Sequence, residues 1–94
     1  MTDLEFAENG FVIRMIRSGD NATITWTGES DSRHPGQFIN PITSQLAKEL
    51  QGVRVTIDFS ALKYINSATV APLIGCIRAL DAAGGPLLVI FSDT

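Results

Sequence analysis

Val53-Arg54-Val55-Thr56-Ile57-Asp58-Phe59-Ser60-Ala61-Leu62-Lys63-Tyr64-Ile65-Asn66-Ser67-Ala68-Thr69 is the stretch from which the fold of this 94-residue chain is read. Val53, Val55, Ile57 and Phe59 alternate with Arg54, Thr56 and Asp58, the period of two expected of a half-buried β-strand. The strand ends at an acid, a short loop follows, and Asn66-Ser67-Ala68-Thr69 stands at the mouth of a helix. Hydroxyls at such a junction lie in the positive field of a helix N-terminus, exposed and open to phosphorylation, so they suit a switch better than an enzyme.

Downstream, Val70, Leu73, Ile74, Ile77 and Leu80 form one apolar stripe at helical spacing, with Arg78 and Asp81 facing water. Ala83-Gly84-Gly85-Pro86 breaks that helix. Leu87 to Phe91 is a continuous apolar run of strand length, as expected for a strand covered on both sides or lying centrally in a sheet.

Upstream, Ile42, Leu46 and Leu50 mark the buried face of a first helix, with Asn40-Pro41 as its N-cap and first residue and Gly52 as its stop. Gly28 to Gln37, rich in Ser, Asp, Gly and Pro, reads as an exposed loop. Ala22 to Thr27 alternates with period two and buries Ala22, Ile24 and Trp26. Asn9-Gly10 is the dipeptide of a type I′ hairpin turn, and Gly19-Asp20-Asn21 makes a second turn. The resulting order, β-β-β-α-β-α-β, predicts a single α/β domain over 1–94. Its mixed sheet has about five strands and carries the helices in one layer; the last two strands are parallel and joined by a right-handed crossover.

The formal charge of −3 and the scatter of the seven basic residues disfavour nucleic acid and anionic membranes. Cys76 is the only cysteine, so no internal disulfide forms, and no Cys/His set has zinc spacing. The N-terminus has neither the basic nor the apolar region of a secretory signal, and no apolar run approaches the roughly 18 residues of a membrane span. A cytoplasmic protein without metal or cofactor is expected.

Asp58 lies near the carboxyl end of its strand, where residues of parallel sheets bind ligands, or else it caps the Ser60 loop. A catalytic carboxylate needs a second acid, a base or a metal, and its neighbours supply none. Ser67 and Thr69 are candidate caps. With Ser67 as cap, Pro72 would delete a helical hydrogen bond; with Thr69 as cap, it falls where a missing N–H costs nothing. Thr69 is therefore expected to cap the helix and Ser67 to be the freer hydroxyl. His34 reads as a surface loop residue and Cys76 as a small core residue. A Ser67-His34-Asp58 hydrolase triad lacks any nucleophile elbow or oxyanion loop.

From Ile57 to Val70 the sequence resembles the STAS domain family, which includes bacterial anti-sigma factor antagonists, and Gly84-Gly85 before an apolar strand extends the resemblance over roughly Val53 to Phe91. The resemblance implies a non-enzymatic module that docks an anti-sigma factor or another kinase-like switch protein through Asp58, Asn66, Ser67, Ala68, Thr69 and Val70. Asn66 stands where the family usually has Asp, Ala68 at the usual phosphoacceptor, and Thr69 in place of Gly. A phosphoswitch would therefore use Ser67 or Thr69. Family members usually continue past the last strand, whereas the sequence stops at Thr94, which implies either a shortened piece or a self-associating homodimer. The alternatives are an assembly subunit without a phosphoswitch and, less favoured, a small hydrolase.

Overall fold

The computed structural model describes residues 2–91. The elements are β1 (Thr2–Glu8), β2 (Phe11–Ser18), β3 (Asn21–Ser30), α1 (Pro35–Glu49), β4 (Arg54–Asp58), β5 (Leu62–Ile65), α2 (Ser67–Ala82) and β6 (Leu87–Ile90). They form one six-stranded sheet in the order β1-β2-β3-β4-β6, with β5 paired to β3 beyond the end of β4. The hairpins β1–β2 and β2–β3 are antiparallel, and β3, β4, β5 and β6 run parallel. The mixed α/β sheet expected from the periodicities is thus present, with one strand more than anticipated.

Asn9 (φ 49°) and Gly10 (φ 84°) both occupy positive φ, as a type I′ turn requires. The register that follows aligns Met15 with Ile24, Ile24 with Ile57, and Ile57 with Val89, so one apolar row crosses four strands. Trp26 closes the core: its ring meets Phe11 edge-on at 5.5 Å and Phe59 at 5.1 Å. Ile39 and Leu46 of α1 and Leu73, Cys76 and Leu80 of α2 cover this face, and each fully buried Leu or Ile contributes about 1.5–3 kcal/mol by leaving water. The opposite face carries Arg14, Thr23, Thr25, Arg54 and Thr56, none of them buried.

The extra strand has a simple cause. β3 is ten residues long and β4 five, so the second half of β3 would be left without a parallel neighbour. Leu62, Tyr64 and Ile65 pair there with Gly28, Glu29 and Ser30 across a register shift at Gly28/Glu29. Gly28 (φ 89°) lies so close to the Gly10 carbonyl that a Cβ would collide with its oxygen.

Three further expectations are corrected. Gly28–Gln37 is not one exposed loop: β3 runs through Ser30 and α1 starts at Pro35, leaving Pro41 inside the helix rather than at its start. Starting early buries Pro35 and Ile39, which offsets the hydrogen bond that Pro41 cannot make. The buried stripe of α2 is Thr69, Leu73, Cys76 and Leu80, while Val70 and Ile74 are 43% and 42% exposed. Finally, β6 is neither central nor covered on both faces but ends the sheet, with Leu88 59% exposed. Thr94, where the sequence stops, lies outside the described residues.

Candidate functional site

The carboxyl ends of the parallel strands gather at one edge of the molecule, where Ser30 ends β3, Asp58 ends β4, and Ile65 leads through Asn66 into α2. Asn66 is the N-cap, contrary to the expectation that Thr69 would be. Its Oδ1 accepts from the Thr69 backbone N–H (3.1 Å) and the Thr69 hydroxyl (2.6 Å). With the Thr69 proton so engaged, the Ser30 hydroxyl is the donor in the 2.8 Å bond between the two side chains. The Asn66 Nδ2 donates to the Ser32 carbonyl (2.7 Å), and the Asn66 backbone N–H donates to the Ser30 carbonyl (3.0 Å).

Residue 66 must therefore accept on one side and donate on the other, which an amide does and a carboxylate does not. The cap is Asn66 and not Thr69 because Pro72 is accommodated inside α2, leaving the carbonyl of exposed Ala68 without its usual donor. Thr69 is fully buried, with its hydroxyl held between Ser30 and Asn66. Ser67, the first residue of α2, is exposed, as are Ala68 and Val70. Ser67, Val70 and Ile74 follow one another at helical spacing, so the hydroxyl heads an exposed apolar stripe.

Beside this corner lies an open crevice of about 240 Å³ lined by Phe59, Leu62, Tyr64, Ile65, Leu73 and Phe91. Tyr64 and Phe91 on its rim are 52% and 60% exposed, and Phe91 stacks on Phe59 at 5.3 Å. Asp58 bends the chain toward β5: its Oδ1 accepts from the Ser60 hydroxyl (2.6 Å) and the Ser60 backbone N–H (2.8 Å). Those bonds, the hydroxyl's first, hold its carboxyl below the usual carboxylate range. His34 stands before α1, and no hydrogen bond joins it to Asp58 or Ser67. Burial pushes the Cys76 thiol up.

Ser30 and Ser32 belong to the network and were not anticipated. The one signal for Ser30 was parity, since it continues the inward series Ala22, Ile24, Trp26 through Gly28. Among the described residues, no three His, Cys, Asp or Glu side chains are placed to hold a metal ion, and no helix is long and apolar enough to cross a membrane.

No protein-family model matches the chain, and no curated protein matches it in sequence. Solved structures do. An antisigma-factor antagonist STAS domain from Rhodobacter sphaeroides superposes with a TM-score of 0.65 at 15% identity, covering 89% of both chains. The anti-sigma factor antagonist SpoIIAA in its unphosphorylated form gives 0.58 at 22% identity over 87% of this chain and 72% of that one. A structure described as Mglu gives 0.60 at 17% identity over 80% of this chain but 18% of its own. The fold implied by the sequence from Ile57 to Val70 is thus the fold of the molecule.

Proposed function

We propose that this chain, which carries the fold of STAS domains, is a cytoplasmic regulatory module of anti-sigma factor antagonist type. It docks a kinase-like switch protein through the corner formed by Asn66, Ser67, Ala68 and Val70, with Thr69 buried beneath them and Asp58 shaping the approach from β4. One observation carries the reading. An exposed hydroxyl, Ser67, heads an exposed apolar stripe on a helix whose start is fixed from below by Asn66, Thr69 and Ser30. An apolar stripe of this kind is suited to protein contact, and a phosphate at its head would add about −2 charges where a partner must lose water.

The rigid network beneath gives the stripe a defined shape before binding, which limits the entropy lost on docking. Of the two hydroxyls at the corner, Ser67 is the accessible phosphoacceptor and Thr69 a structural residue. The reading assigns no catalytic role to Asp58, whose carboxylate is engaged by Ser60.

The test begins with the partner recovered from the organism's own cells. Its binding to the wild type, Ser67→Ala and Ser67→Asp is then measured by isothermal titration calorimetry. Ser67→Ala is expected to bind as the wild type does, and Ser67→Asp about tenfold or more weakly. Equal binding by all three variants refutes the switch at this corner.

A further inference from the structure

We propose that the outer edge of β6 is a self-association site, at which two copies of this chain pair their β6 strands antiparallel about a two-fold axis through Val89. The surface differs from the α2 corner, and the proposal stands without that reading.

Backbone direction comes first. The carbonyls of Pro86 and Ile90 accept from Val55 and Phe59 (both 2.8 Å), so the even-numbered residues of this strand turn their backbone groups inward to β4. By the alternation of a strand, Leu87, Val89 and Phe91 turn theirs outward, where no strand of the described chain lies. Such an edge is a template for an extended segment and not for a helix.

The two sheet edges are then unlike. β1, at the far side, carries Asp3, Glu5 and Glu8, the charges that keep an edge from pairing. β6 reads Leu87-Leu88-Val89-Ile90, without a charge, a proline or a glycine. In a chain of net charge −3, it is the edge that a second copy meets without like-charge repulsion.

Self-complementarity selects the occupant. Opposed residues of an antiparallel pair share a face, so a two-fold pairing must set odd against odd and even against even. With Val89 on the axis, Leu88 lies opposite Ile90 of the other copy, and Leu87 lies opposite its Phe91. Leu88, Ile90 and Phe91 are the exposed apolar residues of this edge, at 59%, 38% and 60%. The outward backbone groups of Leu87, Val89 and Phe91 then face their counterparts, forming about six hydrogen bonds. Axes at Leu88 or Ile90 also keep the faces matched, but neither pairs the whole run from Leu87 to Phe91 with itself. Both helical layers fall on one side of the joined sheet.

The assay is sedimentation velocity on the 94-residue chain across the micromolar range, with Leu88→Lys and a Leu88→Cys/Ile90→Cys double variant. The wild type is expected to dimerise with rising concentration. Leu88→Lys, whose substitution lies on the solvated face, should keep the wild-type circular dichroism and weaken the dimer about tenfold or more. In the proposed register Leu88 and Ile90 form a non-hydrogen-bonded pair with Cα atoms about 4.5 Å apart, inside the roughly 4.4–6.8 Å that a disulfide spans. The double variant should therefore cross-link under copper–phenanthroline oxidation. Each single cysteine variant should not, because same-residue pairs are then diagonal at about 7–8 Å. A wild type that stays monomeric at high micromolar concentration overturns the proposal. So does a dimer indifferent to Leu88→Lys, and efficient cross-linking of either single cysteine variant overturns the register.

Discussion

Replacing Asn66 with Asp separates two accounts of the start of α2. As N-caps, Asn and Asp are nearly equivalent, and the helix dipole favours the carboxylate by about 0.3–1 kcal/mol, so capping alone predicts a neutral or slightly stabilising change. The network predicts the opposite. Asn66 Oδ1 takes the two Thr69 donors, and the other end of the side chain donates to the Ser32 carbonyl at 2.7 Å. In the Asn66→Asp variant that end becomes an acceptor facing an acceptor. The lost hydrogen bond costs about 1 kcal/mol, and leaving the part-buried Ser32 carbonyl against a negative oxygen costs a further 1 kcal/mol or so. Less the dipole gain, the net loss is about 1–2 kcal/mol. At this chain length that lowers Tm by roughly 5–15 °C. Urea and thermal unfolding followed by circular dichroism at neutral pH measure it, with Asn66→Ala as the reference that loses both halves of the bridge and should fall further. An Asn66→Asp variant as stable as the wild type would refute the two-sided role assigned to Asn66.

Asp58 should contribute to the acid limb of stability. Its folded carboxyl is held low by Ser60, so its contribution is present above the unfolded value of about 3.9 and is lost as pH falls through the lower folded value; Asp58→Asn should lower urea-unfolding stability at neutral pH, converge on the wild type at the acid end, and so flatten the pH dependence across that window. Pro41 interrupts α1 on an exposed residue, so Pro41→Ala restores a donor to the Gln37 carbonyl and should stabilise by about 1–2 kcal/mol after allowing for the freer unfolded chain. A lower Tm for that variant would show that Pro41 is required where it stands.

Residues whose partners are near in sequence are legible. Asn9-Gly10 announces its turn, and the alternations of Ala22–Trp26 and Val53–Phe59 place Ile24, Trp26, Val55 and Ile57 in the core, where all four are buried. Prolines mislead. Pro41 and Pro72 have the look of helix-start residues, yet both lie inside helices whose tertiary burial outweighs one missing hydrogen bond. The apolar run of β6 suggests a doubly covered strand, although burial depends on what the rest of the chain places beside it. At the candidate site, the helix start at Asn66–Val70 is legible from its residue types. The identity of the cap is not, because it is decided by Ser30 and Ser32, more than thirty residues upstream, which only the parallel pairing of β3 with β5 brings alongside.

That pairing has a consequence for how the domain tolerates change. β4 and β5 each take their register from β3, β4 along Asn21–Thr25 and β5 along Gly28–Ser30, so neither depends on the other for its alignment. The turn between them, around exposed Ser60 and Ala61, therefore transmits no alignment to the corner. It is a natural port for inserted sequence: a peptide tag or reporter placed there would leave Asn66, Ser67 and Thr69 anchored through β3.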